Sequence, residues 1–187
     1  MFKCVIFTIS ILSFLGSTFV FSQADECASA SQLTNVSNFC SGNAFYTNVN
    51  STASLFPQAT CITGVASEDV WFSFTAIGTD ILISASGIGA GGTMNRPRIA
   101  IYSGNCATTI NQLGCANGVA GIGVTQLYQS ALMPGTVYYI RISTLTNNEG
   151  TFELCVNNYT PISNPGADCN GASYLCSNNP VSVGILS

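Results

Sequence analysis

The sequence contains no histidine, and few of its residues carry a charge. Its 187 residues include 4 Lys or Arg and 8 Asp or Glu, so charged residues make up 6% of the chain. A typical soluble domain has about 25%. The absence of histidine excludes Ser-His-Asp and Cys-His nucleophile systems and every zinc site that relies on imidazole. The net charge of −4 argues against nucleic-acid binding, which needs a basic surface.

Composition also excludes two kinds of non-globular chain. Hydrophobic residues make up 47% of the sequence, which is far above the content of a disordered segment. The heptad pattern of a coiled coil is absent as well. The chain is instead rich in glycine, with 18 residues, and in cysteine, with 9. These features favour a folded, cross-linked domain.

Residues 1–22 have the pattern of a secretory signal peptide. Lys3 is followed by the apolar run CVIFTISILSFLGSTFVF and then by small or polar residues. A membrane anchor is the alternative, because this run just reaches the length that spans a bilayer. Its Ser and Thr residues, and the lack of a basic cluster after Phe21, favour a cleaved signal and no membrane span in the processed chain. Glu26 directly before Cys27 argues against a lipoprotein signal.

Eight cysteines remain after removal of the signal: Cys27, Cys40, Cys61, Cys106, Cys115, Cys155, Cys169 and Cys176. An even number of cysteines in an exported chain indicates a disulfide framework. A metal cluster is the alternative, but no two of them have the C-x-x-C spacing that structural zinc sites favour. We therefore expect a secreted or outer-cell-surface protein without a cofactor.

The opening of the mature chain recurs near its end. ADECASASQL at residues 24–33 resembles GADCNGASYL at residues 166–175, and the alignment superposes Cys27 on Cys169. Chance similarity over so short a stretch is the alternative. We expect a module at residues 23–159, a linker at 160–167 and the start of a second, truncated module at 168–187, as in a fragment of a longer protein.

Short runs rich in Val, Ile, Phe, Tyr and Thr alternate with Gly and Asn clusters in the first module. The alternation of apolar and polar residues within several runs is typical of strands in an antiparallel sheet. The fold class predicted is all-β, an antiparallel, jelly-roll-like β-sandwich. The sequence does not decide between a helical turn and an edge strand for residues 28–36. The predicted strands are 44–50, 69–76, 80–86, 98–103, 112–116, 123–131, 136–144 and 150–157.

Several local motifs occur together in the first module. They are DEC at 25–27, DVWFSF at 69–74, IYSGNC at 101–106, LGC at 113–115, PGTVYYIRI at 134–142 and GTFELCV at 150–156. This set resembles a repeated secreted β-sandwich module of bacterial surface proteins that use the type IX secretion route, similar to the bacterial pre-peptidase C-terminal domain. The resemblance implies a non-catalytic module beside peptidase, adhesion or repeat domains.

The six cysteines of the first module allow fifteen pairings, which the expected strand order narrows. Cys106 and Cys115 flank the short segment ATTINQLG, and a bond between them can close a hairpin-like loop. Cys27 lies at the start of the module and Cys155 in its last strand, where a disulfide would hold the two termini together. The expected disulfides are Cys106–Cys115, Cys27–Cys155 and Cys40–Cys61, while the partners of Cys169 and Cys176 stay open.

Few side chains of the module are suited to chemistry. Glu68 and Asp69 are weak calcium candidates, because calcium takes six to eight oxygen ligands and single acids at strand ends are usually solvated or paired. Arg141 lies in a strand, and an ion pair with Asp69 is favoured over a ligand site. The pattern does not support the two facing carboxylates of a glycosidase. We therefore expect no enzyme activity and no catalytic residue.

Trp71 has two interpretations, burial in the core or stacking on a sugar ring. An alternating strand cannot bury Val70, Trp71, Phe72 and Phe74 on one face, so either Trp71 or Phe72 points away from the others. Burial of Trp71 beneath a covering loop is favoured, and ligand stacking is the alternative.

The sequence favours a non-enzymatic extracellular module that binds a partner or spaces domains in a larger secreted protein. One alternative is an accessory domain of an exported peptidase whose catalytic part is not in this chain. Another is a glycan-binding module that uses Trp71 or exposed tyrosines. The expected partners are an extracellular glycan or protein and neighbouring modules of the same chain.

Overall fold

The computed structural model describes residues 24–64 and 66–161. Its regular structure consists of β-strands and two short 3-10 turns, Cys27–Ser29 and Gly89–Gly91, which confirms the all-β prediction. The strands are β1 Ser31–Gln32, β2 Phe39–Cys40, β3 Tyr46–Thr47, β4 Ala66–Thr75, β5 Asp80–Ser86, β6 Arg98–Asn105, β7 Thr109–Ala116, β8 Val124–Gln129, β9 Val137–Leu145 and β10 Thr151–Tyr159. Within these described ranges, no helix has the length and apolar character needed to cross a membrane.

The strands form a β-sandwich of two sheets. The first sheet has the order β1-β4-β9-β6-β7, and the second has the order β2-β10-β5-β8, with β3 also pairing with β10. Neighbours are antiparallel, apart from the short parallel pair of β1 and β4. Each of the eight predicted strands overlaps an observed strand. Residues 28–36 contain both the end of a 3-10 turn and the edge strand β1.

The core lies between the two sheets and follows the alternation of the strands. Val70, Phe72 and Phe74 of β4 point inward, and so do Phe152 and Leu154 of β10. Phe72 and Phe152 meet edge to face, with 6.4 Å between their ring centres. Full burial of each such side chain contributes about 1.5–3 kcal/mol, so this layer accounts for much of the stability of the fold.

Irregular chain covers the outer side of the first sheet. We call residues 24–30 and 52–64 the cover layer. Its Ala24, Ala59 and Ile62 are buried in a second apolar cluster with Trp71 of β4 and with β6. The cover layer also extends the hydrogen bonding of β4, since the Trp71 N–H donates to the Ala24 carbonyl at 2.8 Å. The middle of the first sheet, around Trp71, is therefore packed on both faces.

Three disulfides are present in the described chain, and all three differ from the predicted pairs. They are Cys27–Cys106, Cys40–Cys155 and Cys61–Cys115. The predicted links Cys106–Cys115, Cys27–Cys155 and Cys40–Cys61 are wrong. Two of the observed links fasten the cover layer to the β6–β7 hairpin, and the third joins β2 to β10.

The error has a clear origin in the β6–β7 hairpin. The segment ATTINQLG is not a loop, because most of it belongs to β7. Cys106 lies in the turn, whereas Cys115 faces Ala100 near the other end of the ladder. Six residues of strand separate these positions by about 20 Å, far beyond the reach of a disulfide. Cys40 instead lies directly opposite Cys155 in the β2–β10 register, with 4.1 Å between the Cα atoms.

Other sequence predictions concern residues outside the described ranges. These are the signal peptide at residues 1–22 and the second module at 168–187, with Cys169 and Cys176. The linker at 160–167 also lies almost entirely outside them. All of these stay predictions.

Candidate functional site

Asp69 and Arg141 form a buried ion pair beneath the cover layer. Arg141 Nη2 is 2.5 Å from Asp69 Oδ2, and both side chains are almost fully buried. Trp71 Nε1 donates to Asp69 Oδ1 at 2.8 Å, and the Ser54 N–H donates to Oδ2 at 3.1 Å. Arg141 Nη1 donates to the Pro57 carbonyl at 3.1 Å. The predicted pair is confirmed, and it ties β4 and β9 to the loop above them.

The electrostatics of this pair are those of a structural contact. Burial raises the pKa of the Asp69 carboxyl, and the charge of Arg141 and the hydrogen bonds from Ser54, Arg141 and Trp71 act in the opposite direction. Both carboxylate oxygens of Asp69 accept hydrogen bonds from protein donors, so its observed contacts are structural.

Glu68, the other calcium candidate, faces a second carboxylate. It hydrogen-bonds Glu149, whose Oε1 also accepts the Asn147 N–H at 2.9 Å. Burial raises the pKa of Glu149, but these hydrogen bonds outweigh it and lower the pKa overall. In residues 24–64 and 66–161, no group of three or more His, Cys, Asp and Glu side chains is placed to hold a metal ion.

Trp71 fills the cluster beneath the cover layer and has no exposed surface. Its ring centre lies 5.4 Å from that of Tyr102 and 5.9 Å from that of Phe56, and the Arg141 guanidinium lies 5.4 Å from it. Phe72 points to the opposite side, into the core, as the alternation requires. The stacking interpretation of Trp71 is therefore wrong, and its burial under a loop is confirmed.

The second sheet differs from the first because several of its outward side chains are exposed, whereas others, such as Asp80, are buried. Asn157, Leu82 and Tyr128 form one row across β10, β5 and β8, and Cys155, Ser84 and Gln126 form the next. Exposure is 55% for Tyr128, 38% for Tyr159 and 37% for Leu82. We call this surface the open face. Its members are Asp80, Leu82, Ser84, Ser86, Val124, Gln126, Tyr128, Glu153, Cys155, Asn157 and Tyr159.

Tyr128 is held in a fixed orientation on the open face. Its hydroxyl donates to Asp80 Oδ1, and the Thr79 hydroxyl donates to the other carboxylate oxygen at 2.7 Å. The hydrogen bond to Asp80 raises the pKa of Tyr128, as do burial and the charges of Asp80 and Tyr159. Since Asp80 lies on β5, the ring must reach from β8 across the neighbouring strand.

Charge is distributed unequally between the two sheets. Arg98 lies on β6, Arg141 on β9, and Arg96 just before β6, so all three arginines of the described chain belong to the first sheet. The open face has the carboxylates of Asp80 and Glu153 and, among its members named above, no basic side chain.

A small pocket lies at one end of the first sheet. It has a volume of about 260 Å³, and Val137 and Tyr139 line it beside the Cys27–Cys106 disulfide. This is smaller than the roughly 300–1,000 Å³ of typical small-molecule sites. The pocket can take one side chain or a fragment of a ligand, so the open face is the larger candidate surface.

Tyr128, Tyr159 and Leu82 were not among the individual candidate residues predicted from the sequence. A usable signal exists in β8, where VTQLYQ alternates between exposed and buried residues. Tyr128 belongs to the exposed set, but only the pairing of β8 with β5 shows that it lies beside Leu82 and Asp80. Such a cluster depends on sheet order, which local alternation does not contain.

Comparison with known proteins gives no match to a protein-family model and no match to a curated protein.

Proposed function

We propose that this chain is an exported, non-enzymatic module of a larger secreted or cell-surface protein, and that it binds an extracellular partner through the open face. The observation that carries this proposal is the contrast between the two sheets. The middle of the first sheet is covered, whereas the middle of the second presents Leu82 and Tyr128 to solvent, with Tyr159 nearby on β10. Contiguous exposed apolar surface in a soluble domain commonly marks an interaction site.

Export is supported by two independent features. Three disulfides are the usual means of stabilising a domain in an oxidising compartment and are rare in the cytosol. The pattern of residues 1–22 is that of a secretory signal. The sequence motifs that resemble type IX-secreted modules would imply that specific route and neighbouring adhesion or repeat domains.

A role in binding and spacing is supported by the stiffness of the scaffold. The open face is built on β5, β8 and β10, whose ladders hold their side chains at fixed positions. A surface on regular strands loses little conformational freedom when a ligand binds, so more of the contact energy appears as affinity.

The proposal is tested with the full exported chain, disulfides oxidised, against immobilised extracellular polymers of two classes, polysaccharides and matrix proteins. We expect saturable binding to at least one polymer. The double variant Tyr128→Ser/Tyr159→Ser should lose it, while Leu55→Ser, in the cover layer and 93% exposed in the native protein, should keep it. The proposal fails if no polymer of either class binds, or if the double variant binds like the wild type while folded.

A further inference from the structure

We infer that the ligand of the open face is a neutral glycan, which stacks on Tyr128 and Tyr159 and hydrogen-bonds to the uncharged side chains between them. This inference rests on the proposed function and deepens it, because it names the chemical class of the partner. Three features of the open face support it: the orientation of the Tyr128 ring, the position of Tyr159, and the polar and charged groups around both.

The first observation is the orientation of Tyr128. The cross-strand partner of Tyr128 is Leu82, but its hydroxyl bonds to Asp80, two residues away along β5. The ring must therefore lie diagonally over β5 instead of pointing into solvent. Because 55% of the residue is exposed, the ring stays accessible to a ligand. Pyranose rings have apolar C–H faces, and a fixed aromatic plane is a suitable support for such a face.

The second observation is the position of Tyr159. It pairs with Asp80 across β10 and β5, so Tyr128 and Tyr159 start from strands on either side of β5. Two strand spacings separate these strands by about 10 Å. Because the Tyr128 ring leans over β5 towards Asp80, the cross-strand partner of Tyr159, the two aromatic side chains approach each other beside Leu82 and form a platform that suits a sugar chain.

The third observation is the set of polar groups beside the rings. Gln126 and Asn157 are exposed amides, and Ser84 contributes a hydroxyl between them. Amides and hydroxyls both donate and accept hydrogen bonds, as sugar hydroxyls do. The open face therefore offers uncharged hydrogen-bonding groups next to aromatic rings. A neutral sugar chain has the matching groups, which are hydroxyls and apolar C–H faces.

Charge selects between kinds of glycan. Asp80 and Glu153 are the ionisable acids of the open face, and its members include no Lys, Arg or His. An acidic polysaccharide would bring its carboxylates or sulfates next to these groups without a compensating cation. Like charges at an interface suppress binding and so contribute to specificity. A neutral polymer meets no such repulsion, and the half-buried Glu153 can accept hydrogen bonds from its hydroxyls.

The test is native affinity electrophoresis of the full exported chain in gels that contain soluble β-glucan, xylan, mannan or polygalacturonate. We expect at least one neutral polymer to retard the wild type, and polygalacturonate to have no effect. Tyr128→Ala should weaken binding about tenfold, which corresponds to about 1.4 kcal/mol, near the upper end for aromatic pairs. Tyr128→Phe keeps the ring but removes its link to Asp80, so its loss should be smaller. Leu55→Ser is the control, and circular dichroism checks that each variant is folded.

Several outcomes would overturn the inference. They are retardation by polygalacturonate as strong as by the neutral polymers, no retardation by any neutral polymer, and wild-type affinity in folded Tyr128→Ala. If no neutral polymer binds but a matrix protein binds in a Tyr128-dependent way, the glycan inference fails and the proposed function stands. If neither class of polymer binds, both fail.

Discussion

Replacing Arg141 by methionine is the most direct test of the buried layer under the cover. Methionine keeps much of the length of the side chain but removes its charge and its hydrogen bonds to Asp69 and the Pro57 carbonyl. Asp69 stays buried, with only Trp71 Nε1 and the Ser54 N–H as donors. The variant therefore leaves an uncompensated carboxylate in a layer that excludes water.

The expected effect is large. Removal of one partner of a buried ion pair costs about 3–5 kcal/mol of the free energy of unfolding. Domains of this size change their melting temperature by roughly 3–4 °C per kcal/mol, so Arg141→Met should lower it by about 10–20 °C. Removal of both charges in Asp69→Asn/Arg141→Met should recover at least half of the loss, because no buried charge remains. Arg96→Met is the matched control, since Arg96 is only half-buried and contacts the Gly118 carbonyl.

Urea unfolding with the disulfides intact measures these differences. Trp71 is the only tryptophan of the chain and is fully buried next to Arg141, so its fluorescence reports directly on the opening of this layer. A loss below about 1 kcal/mol in Arg141→Met, or a double variant less stable than the single one, would refute this account of the ion pair.

Three further predictions concern other parts of the structure. Non-reducing peptide mapping should find the three links described above. Mild reductant should open Cys40–Cys155 before Cys27–Cys106, because Cys40 is exposed whereas Cys27 is buried. Differential alkylation followed by mass spectrometry measures this order, and earlier labelling of Cys27 would contradict the prediction. Asp80→Asn should move the pKa of Tyr128 down towards its ordinary value, as followed by NMR of labelled tyrosine. In the wild type, this hydrogen bond should stabilise the fold below pH about 10 and lose its effect as Tyr128 ionises at higher pH; an unchanged titration in Asp80→Asn would speak against the contact. Trp71→Ala should cost about 3–5 kcal/mol in urea unfolding followed by circular dichroism, and a loss under 1 kcal/mol would contradict its burial.

Local alternation was sufficient to locate the main strands. The runs at 80–86 and 136–144 match β5 and β9 within one residue, because side chains of period two must face a core on one side. The same logic anticipated that Trp71 and Phe72 point in opposite directions. It also anticipated the Asp69–Arg141 pair, whose members lie on the neighbouring strands β4 and β9.

Long-range neighbours could not be inferred in the same way. Cys40 pairs with Cys155 because β2 is placed beside β10, and a two-residue strand leaves almost no pattern in the sequence. Cys106 and Cys115 looked like the two ends of a loop, because the polar start of β7 resembles a turn. The open face was missed for the same reason, since it exists only when β8, β5 and β10 are adjacent.

The Cys40–Cys155 bond also determines how the domain responds to tension along its chain. Force applied at the two ends of the described chain enters the domain at Cys27 and Cys40 and leaves it at Cys155, and the Cys40–Cys155 link prevents the 115-residue span between its cysteines from lengthening the chain. Without this link, unravelling residues 24–161 would lengthen the chain to about 470 Å; with it, only residues 24–40 and 155–161 can extend, to about 80 Å. A tandem array of such units would thus act as a nearly inextensible tether, in which pulling leaves most of each unit folded.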